Sequence, residues 1–229
     1  MSESHSRFRV EKVAAPLRQS VTDSIRNAIA VGVFEAGEHL PERELCELTG
    51  VSRTLVRESL RQLESEGLIE VRPHRGPIVS RLSRKQAEGI YQVRIELEGL
   101  ACQLFAEHAD KKQFRRLEEA LSALKDAIAE GDAMERLKAK NEFYNNLIDG
   151  TGNEALGQTL RMLNSRIMLL RSTSLQAPGR APDSIKELSD LLDALKAGDG
   201  PRARELGRQH VRQAATAALA FLPEDEAPE

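Results

Sequence analysis

Three arginines, Arg53, Arg57 and Arg61, recur every fourth residue in the stretch that opens at Ser52. On an α-helix that spacing puts them on one face, offset from the apolar stripe of Val56, Leu60 and Leu63. The planar fork of a guanidinium matches O6 and N7 of guanine in the major groove of duplex DNA. A helix laid in that groove reads bases mainly with its first residues. Ser52 and Thr54 are therefore placed for base or phosphate contacts, and Arg43, one helical stretch earlier, for a backbone phosphate. His74, Arg75 and Gly76 form a turn that can reach a phosphate or a minor groove. A solvated helix face looks the same in isolation, with Glu58 at hand to pair with Arg57 or Arg61. The surrounding elements have to decide.

Pro16 opens a helical pattern with Leu17, Val21, Ile25, Ala28 and Ile29 on one face, stopped at Gly32. Val33–Leu40 reads as a turn with a short extended piece. A second helix, Glu42–Thr49, follows Pro41, carries Leu45 and Leu48 inward and ends at Gly50. Ser52 caps the third, which runs to about Glu66. Leu68–Val71 and Ile78–Val79 flank the turn Pro73–Pro77 as a two-stranded hairpin. Two helices joined by a short glycine turn, with a hairpin directly after, predict a winged helix-turn-helix.

Beyond Leu82 only helical periodicity remains. Six segments are predicted: Ser83–His108 (with Ile90, Val93, Leu97 inward), Lys111–Glu130, Asp132–Ile148, Glu154–Ser174, Ser184–Ala197 and Pro201–Phe221. The fold expected is mainly α: a three-helix, two-stranded winged domain at 15–80, then an all-α antiparallel six-helix bundle at 83–222. Residues 1–14 read as a flexible arm and 223–229 as an acidic disordered tail.

Bulk properties agree with a globular chain. Of the 229 residues 40% are hydrophobic and only 3% aromatic, so the core must be aliphatic, which favours helix-on-helix packing. No apolar run is long enough to span a membrane and MSESHSRFRV lacks an apolar signal core, which predicts a cytoplasmic protein without membrane attachment. Cys46 and Cys102 read as reduced buried thiols. The net charge of −3 and the near balance of acids and bases over residues 1–80 do not advertise nucleic-acid binding. Any DNA contact must come from the local arginine arrangement.

The run ELCELTGVSRTLVRESLRQLESEGLIEVRPHRGPIVS resembles the DNA-binding domain of the GntR family of bacterial transcription regulators over about residues 15–80. That resemblance implies operator contacts at Arg43, Arg53, Thr54 and Arg57, a wing glycine entering the minor groove, and a homodimer on a short palindrome. Two modest arginine clusters acting together answer the charge balance.

The remainder, about 85–220, resembles the FCD effector domain of the FadR subfamily. Tyr91-Gln92-Val93-Arg94 with Glu98, Asn141-Glu142-Phe143-Tyr144, Thr151-Gly152-Asn153 and Ala194–Asp199 carry the match. Many such domains hold a divalent metal with one Asp and three His. The matching positions in this chain are Lys140, Tyr144, Leu188 and His210, of which only His210 is a ligand type, so neither a metal nor any other cofactor is expected. Arg94, Lys140, Tyr144 and His210 instead offer donors at that place, with Arg166 and Arg171 on the neighbouring helix. Such a set suits a carboxylate effector. Each has a plain alternative: Arg94 can pair with Glu98 four residues on, Tyr144 can be core, and His210 can be a satisfied core or surface imidazole.

No nucleophile elbow, P-loop, dinucleotide loop or HExxH occurs, which argues against an enzyme. The reading is a ligand-responsive transcription regulator, expected to act as a repressor, whose partners are double-stranded operator DNA, an organic-acid effector and a second copy of the chain. The alternative is an architectural DNA-binding regulator with no effector.

Overall fold

The computed structural model describes residues 15–222. The expected arm (1–14) and acidic tail (223–229) lie outside the described residues. The N-terminal part contains α1 (Ala15–Ala30), α2 (Glu42–Thr49), α3 (Arg53–Ser65), β1 (Ile69–Arg72) and β2 (Gly76–Val79). Gly50, at φ +70°, adopts the left-handed conformation that ends α2 and turns the chain into α3. The Ser52 hydroxyl accepts the Leu55 N–H and starts α3. The strands pair antiparallel, Ile69 opposite Val79 and Arg72 opposite Gly76. The extended piece before α2 adds to β2 through Leu40 N–H to Pro77 O at 2.9 Å and Val79 N–H to Glu38 O at 2.8 Å.

Val21, Ile25, Ile29, Leu45, Val56, Leu60, Leu63 and Ile69 close a small aliphatic core beneath these elements. Two residues expected inward are not. Leu48 is 71% exposed and Leu17 47% exposed. The eight-residue α2 buries a narrow stripe centred on Leu45, which leaves Leu48 on its outer side.

The C-terminal part is a bundle of α4 (Arg84–His108), α5 (Lys111–Glu130), α6 (Ala133–Asp149), α7 (Glu154–Gln176), α8 (Arg180–Lys196) and α9 (Gly200–Leu219). Ser83/Gln86, Asp110/Gln113 and Asp132/Glu135 form reciprocal capping boxes at three of the starts. Helix α8 starts at Arg180, four residues before its expected start, with left-handed Gly179 as its N-cap. Pro182 is tolerated because first-turn N–H groups have no intrahelical acceptor to lose.

Helices α4 and α9 pack closely. A Cβ on Gly207 would meet the Cys102 sulfur at 2.5 Å, and one on Gly99 would meet the Arg208 side chain at 2.5 Å. The inward stripe of α4 runs through Tyr91, Arg94, Glu98 and Cys102, not through Val93, which is 44% exposed. Charged residues thus occupy core positions. They lie between one apolar cluster around Phe105, Leu121, Phe143 and Leu188 and another around Ile90, Leu160, Ile167 and Val211. A small third contact, Ala30 with Leu137 and Met168, seats α1 on α6 and α7.

Candidate functional site

Two groups of side chains can do chemistry. The first is the outer face of α3. Val56, Leu60 and Leu63 are buried beneath it, and Arg53, Thr54, Arg57 and Arg61 are exposed above. Arg57 is not paired with Glu58 on its own helix. It reaches across to α2 and donates two bonds to the Glu42 carboxylate, at 2.8 and 2.9 Å. Those bonds, before any other influence, hold the Glu42 carboxyl below the usual carboxylate range. Arg43 projects from α2 and pairs with Glu47 at 2.9 Å. Arg53 and Arg61 have no ion pair among the described residues. Ser52 and Thr54 are exposed at the start of α3.

The wing tip carries His74 at φ +63° and Gly76 at φ +74°, both left-handed. Glycine takes that conformation freely and histidine at a cost, so the tip is a tight, preset turn. His74 and Arg75 are exposed, and Gly76 is half-buried against His39. Helix start and wing tip together offer donors to one elongated anionic partner, with Glu42 orienting the Arg57 guanidinium.

The second group is buried in the bundle. Arg94, Lys140, Tyr144, Arg171 and His210 are each at most 4% exposed. Arg94 donates from Nε to Glu98 at 2.7 Å, and Arg171 Nη2 lies 3.8 Å from the same carboxylate oxygen. The Arg171 guanidinium stacks on the Tyr144 ring, 3.7 Å from its centre, and donates to Asn141 at 3.0 Å. Lys140 Nζ donates to the Ser184 hydroxyl at 3.0 Å. His210 Nδ1 lies 2.6 Å from Glu187, whose carboxylate also takes two bonds from Arg180.

The electrostatics follow from burial. Desolvation, then the nearby Arg180, Arg171 and Arg94 guanidiniums, push Lys140 well below the ordinary lysine range. Burial pushes His210 down to about 4 against the pull of Glu187, so the imidazole is neutral near pH 7. Several donors have no acceptor among the described residues: Arg94 Nη1, Arg171 Nε and Arg180 Nε. His210 Nε2 is likewise unpartnered, as is the Ser174 hydroxyl, almost one turn beyond Arg171. Buried polar groups are normally satisfied by protein, water or ligand, so these are the atoms that any added group would meet.

A divalent metal does not fit that shell. Its position is occupied by a lysine amine, a tyrosine and the buried, wholly apolar side chain of Leu188, and the guanidiniums of Arg180, Arg171 and Arg94 act on that lysine. A cation entering there meets repulsion and one neutral nitrogen donor.

Arg166 does not join these residues. It lies on the other side of α7, against Gly67 beyond the end of α3, where a glycine Cβ would meet its guanidinium at 2.2 Å. Arg180, Ser184 and Glu187, absent from the sequence-derived set, do belong. Their i, i+4, i+7 spacing on the stretch ending in Leu188 is the signal that would have found them.

Comparison with known proteins agrees with this architecture. The family described as bacterial regulatory proteins, gntR family, matches residues 17–79, and the FCD domain matches residues 89–213. The chain is 29% identical to the uncharacterized HTH-type transcriptional regulator YdhC of Bacillus subtilis (strain 168), covering 89% of each protein. It is 30% identical to a probable D-xylose utilization operon transcriptional repressor of Paenarthrobacter nicotinovorans, covering 89% of this chain and 86% of that one. The solved structure of E. coli McbR/YncC superposes with a TM-score of 0.78 at 26% identity, covering 91% of this chain and 98% of that one.

Proposed function

The chain belongs to the GntR family of bacterial regulatory proteins and carries an FCD domain, and from that premise we propose that it is a repressor that grips a palindromic operator as a homodimer and releases it when a small organic acid enters the bundle. It is a DNA-binding transcription regulator, and the proteins it resembles are regulators, not enzymes. Residues 15–80 act as the reading head and 83–222 as the effector and dimerisation unit.

The observation that carries the DNA reading is the two-faced α3, with Val56, Leu60 and Leu63 buried while Arg53, Arg57 and Arg61 face outward. Arg53, Thr54 and Arg57 meet base edges, and Arg61, Arg43 and Ser52 add base or phosphate contacts. His74, Arg75 and Gly76 of the wing reach the flanking groove. A palindrome presents each half-site twice, so two heads in one dimer multiply a modest local charge. The effector reading is supported by the unpartnered guanidinium N–H groups of Arg94, Arg171 and Arg180, which an architectural protein would have no reason to keep. Among the described residues no helix is long and apolar enough to cross a membrane.

The test is fluorescence anisotropy with fragments of the chain's own promoter region. Expected is sequence-specific binding that weakens steeply between ~50 and ~200 mM salt and that organic acids reverse. Absence of binding to any such fragment at low salt refutes the operator reading. Intact operator binding that no acid perturbs favours the architectural alternative.

A further inference from the structure

Arg166 of α7 and Arg81, in the linker between β2 and α4, take no ion pair or hydrogen bond among the described residues. Main chain holds them instead. A Cβ on Gly67 would meet Nε of Arg166 at 2.8 Å, and one on Gly37 would meet Nε of Arg81 at 2.9 Å. Both glycines are left-handed, at φ +74° and +89°. Packing, not charge, thus sets where the two guanidiniums sit, and their N–H donors are left for whatever enters beside them. They line a cavity of about 350 Å³ between the head and the bundle. Ile69 and Arg72 of β1, Leu82 of the linker and Leu169 of α7 contribute to the same lining. Small-molecule sites begin at about this size, roughly 300 Å³.

Glu70 is the one carboxylate lining that cavity among the described residues, and Arg72 already holds it, from Nε at 2.8 Å and from Nη2 at 2.6 Å. Three guanidiniums, of Arg72, Arg81 and Arg166, less one carboxylate leave a surplus of two positive charges. The neighbouring opening on the wing side shares Glu70, Arg72 and Arg81 and adds His39 and Arg75 but no further acid. A carboxylate brings one charge and two oxygens, which a single guanidinium fork satisfies. A phosphomonoester brings three acceptor oxygens and about −1.5 to −2 charge near pH 7, which suits guanidiniums arriving from separate elements. A cavity of this size admits a small molecule and not a duplex.

We propose that this junction is a ligand site separate from the buried cluster of the bundle, and that it takes a small phosphomonoester whose phosphate is held by Arg81 and Arg166, with Arg72 beside them. One guanidinium belongs to the linker and the other to α7, so a single bound phosphate ties the head to the bundle. The site borders the contact in which Ser165 donates to Glu66, the residues directly before Arg166 and Gly67. A ligand gripped from both sides binds best when head and bundle are so arranged, and it shifts the protein towards that arrangement.

Isothermal titration of the full chain with glycerol 3-phosphate, inorganic phosphate and acetate, in a buffer free of phosphate, tests it. Saturable binding of the two phosphates is expected, about tenfold or more tighter than that of acetate, the effect of an added charge-assisted contact. Arg166→Met is expected to weaken phosphate binding about tenfold or more by removing one such contact. Arg81→Gln should do the same, and because Arg81 is exposed that variant keeps the test open if Arg166→Met folds poorly. No saturable binding of either phosphate up to millimolar concentration overturns the proposal, as does acetate binding equally well. Binding lost in Lys140→Met but kept in Arg166→Met and Arg81→Gln places the anion in the bundle and also overturns it. If duplex DNA of unrelated sequence displaces the ester, and Arg166→Met lowers affinity for every duplex alike, these arginines serve the DNA backbone and the small-molecule site is refuted. None of these outcomes bears on the organic-acid reading of the bundle.

Discussion

Arg26 of α1 donates from Nε to the Ser165 hydroxyl of α7 at 3.0 Å, across 139 residues of chain. The same guanidinium bonds Glu66, the C-cap of α3, at 2.8 and 3.0 Å, and Ser165 in turn donates to Glu66. Three residues from the first helix, the end of the reading helix and the bundle thus form one part-buried network. Breaking it by Arg26→Met leaves Glu66 without its cation. A loss of ~1–3 kcal/mol is expected, less than for a fully buried pair because Glu66 is partly solvated. Urea unfolding monitored by circular dichroism checks it, and an unchanged midpoint would mean that other contacts, such as Ala30 with Leu137 and Met168, hold the head.

Arg57→Ala is expected to cost ~1–3 kcal/mol of operator affinity and little affinity for random DNA. Equal losses on both would identify Arg57 as a phosphate contact. Glu42→Gln separates the two roles further. It frees the guanidinium from its bidentate partner and removes a negative charge from the interface, so non-specific binding should strengthen while discrimination between sequences falls. Anisotropy titrations on the two DNAs give both numbers.

Lys140→Met should stabilise the ligand-free protein by ~1–3 kcal/mol, since it replaces a buried amine, disfavoured there by desolvation and by nearby guanidiniums, with an apolar chain of similar length. The same variant should lose its thermal shift with organic acids. A destabilised Lys140→Met protein would indicate that the Ser184 hydrogen bond, not ligand binding, is what keeps the lysine.

Stability should fall as pH is lowered from about 6.5 towards 4. An unfolded chain protonates His210 near 6.5, whereas the folded protein resists until about 4. Protons therefore bind the unfolded state preferentially in that window and destabilise the fold by up to ~3 kcal/mol at its lower end. Against the cost of burial, hydrogen-bond and cationic partners hold Glu66, Glu98 and Glu187 below the carboxylate range, so their contribution starts to be lost only as pH falls below about 4.5. Urea midpoints between pH 7 and 5 should fall less steeply in His210→Gln than in the parent, and that difference is the imidazole's share.

Chelation should leave the melting temperature unchanged, and elemental analysis should find less than one transition metal per chain. Stoichiometric metal whose removal lowers the melting temperature would overturn the charge-based account of the bundle.

The reading head was legible because every local signal agreed: Gly50 where a left-handed residue is needed, Ser52 as cap, and period-two pairing about the Gly76 turn. In the bundle, the starts expected at Ser83, Lys111 and Asp132 fall within one residue of the observed ones. The misplacements have physical causes. Arg166 and Arg171 are five residues apart on one helix, about 140° around its axis, so they cannot share a face. Helix α8 begins ahead of Pro182, and without that first turn Arg180 is not brought to the cluster. The Arg57–Glu42 pair spans two helices and 15 residues, and helix periodicity carries no information about which partner lies across a turn. Charge excess is invisible in a list of residues, because it depends on which acids the fold brings near.

Helix α7 runs unbroken from Glu154 to Gln176, with Ser165 under the head and Arg171 in the bundle's interior. Six residues of α-helix separate them, ~9 Å along a stiff rod. No relay of intermediates is needed between the two stations: an axial slide or roll imposed at the arginine arrives at the serine within the same rigid body. Under the proposed function, signal and latch ride on one piece of the molecule, with fewer than two helical turns between them.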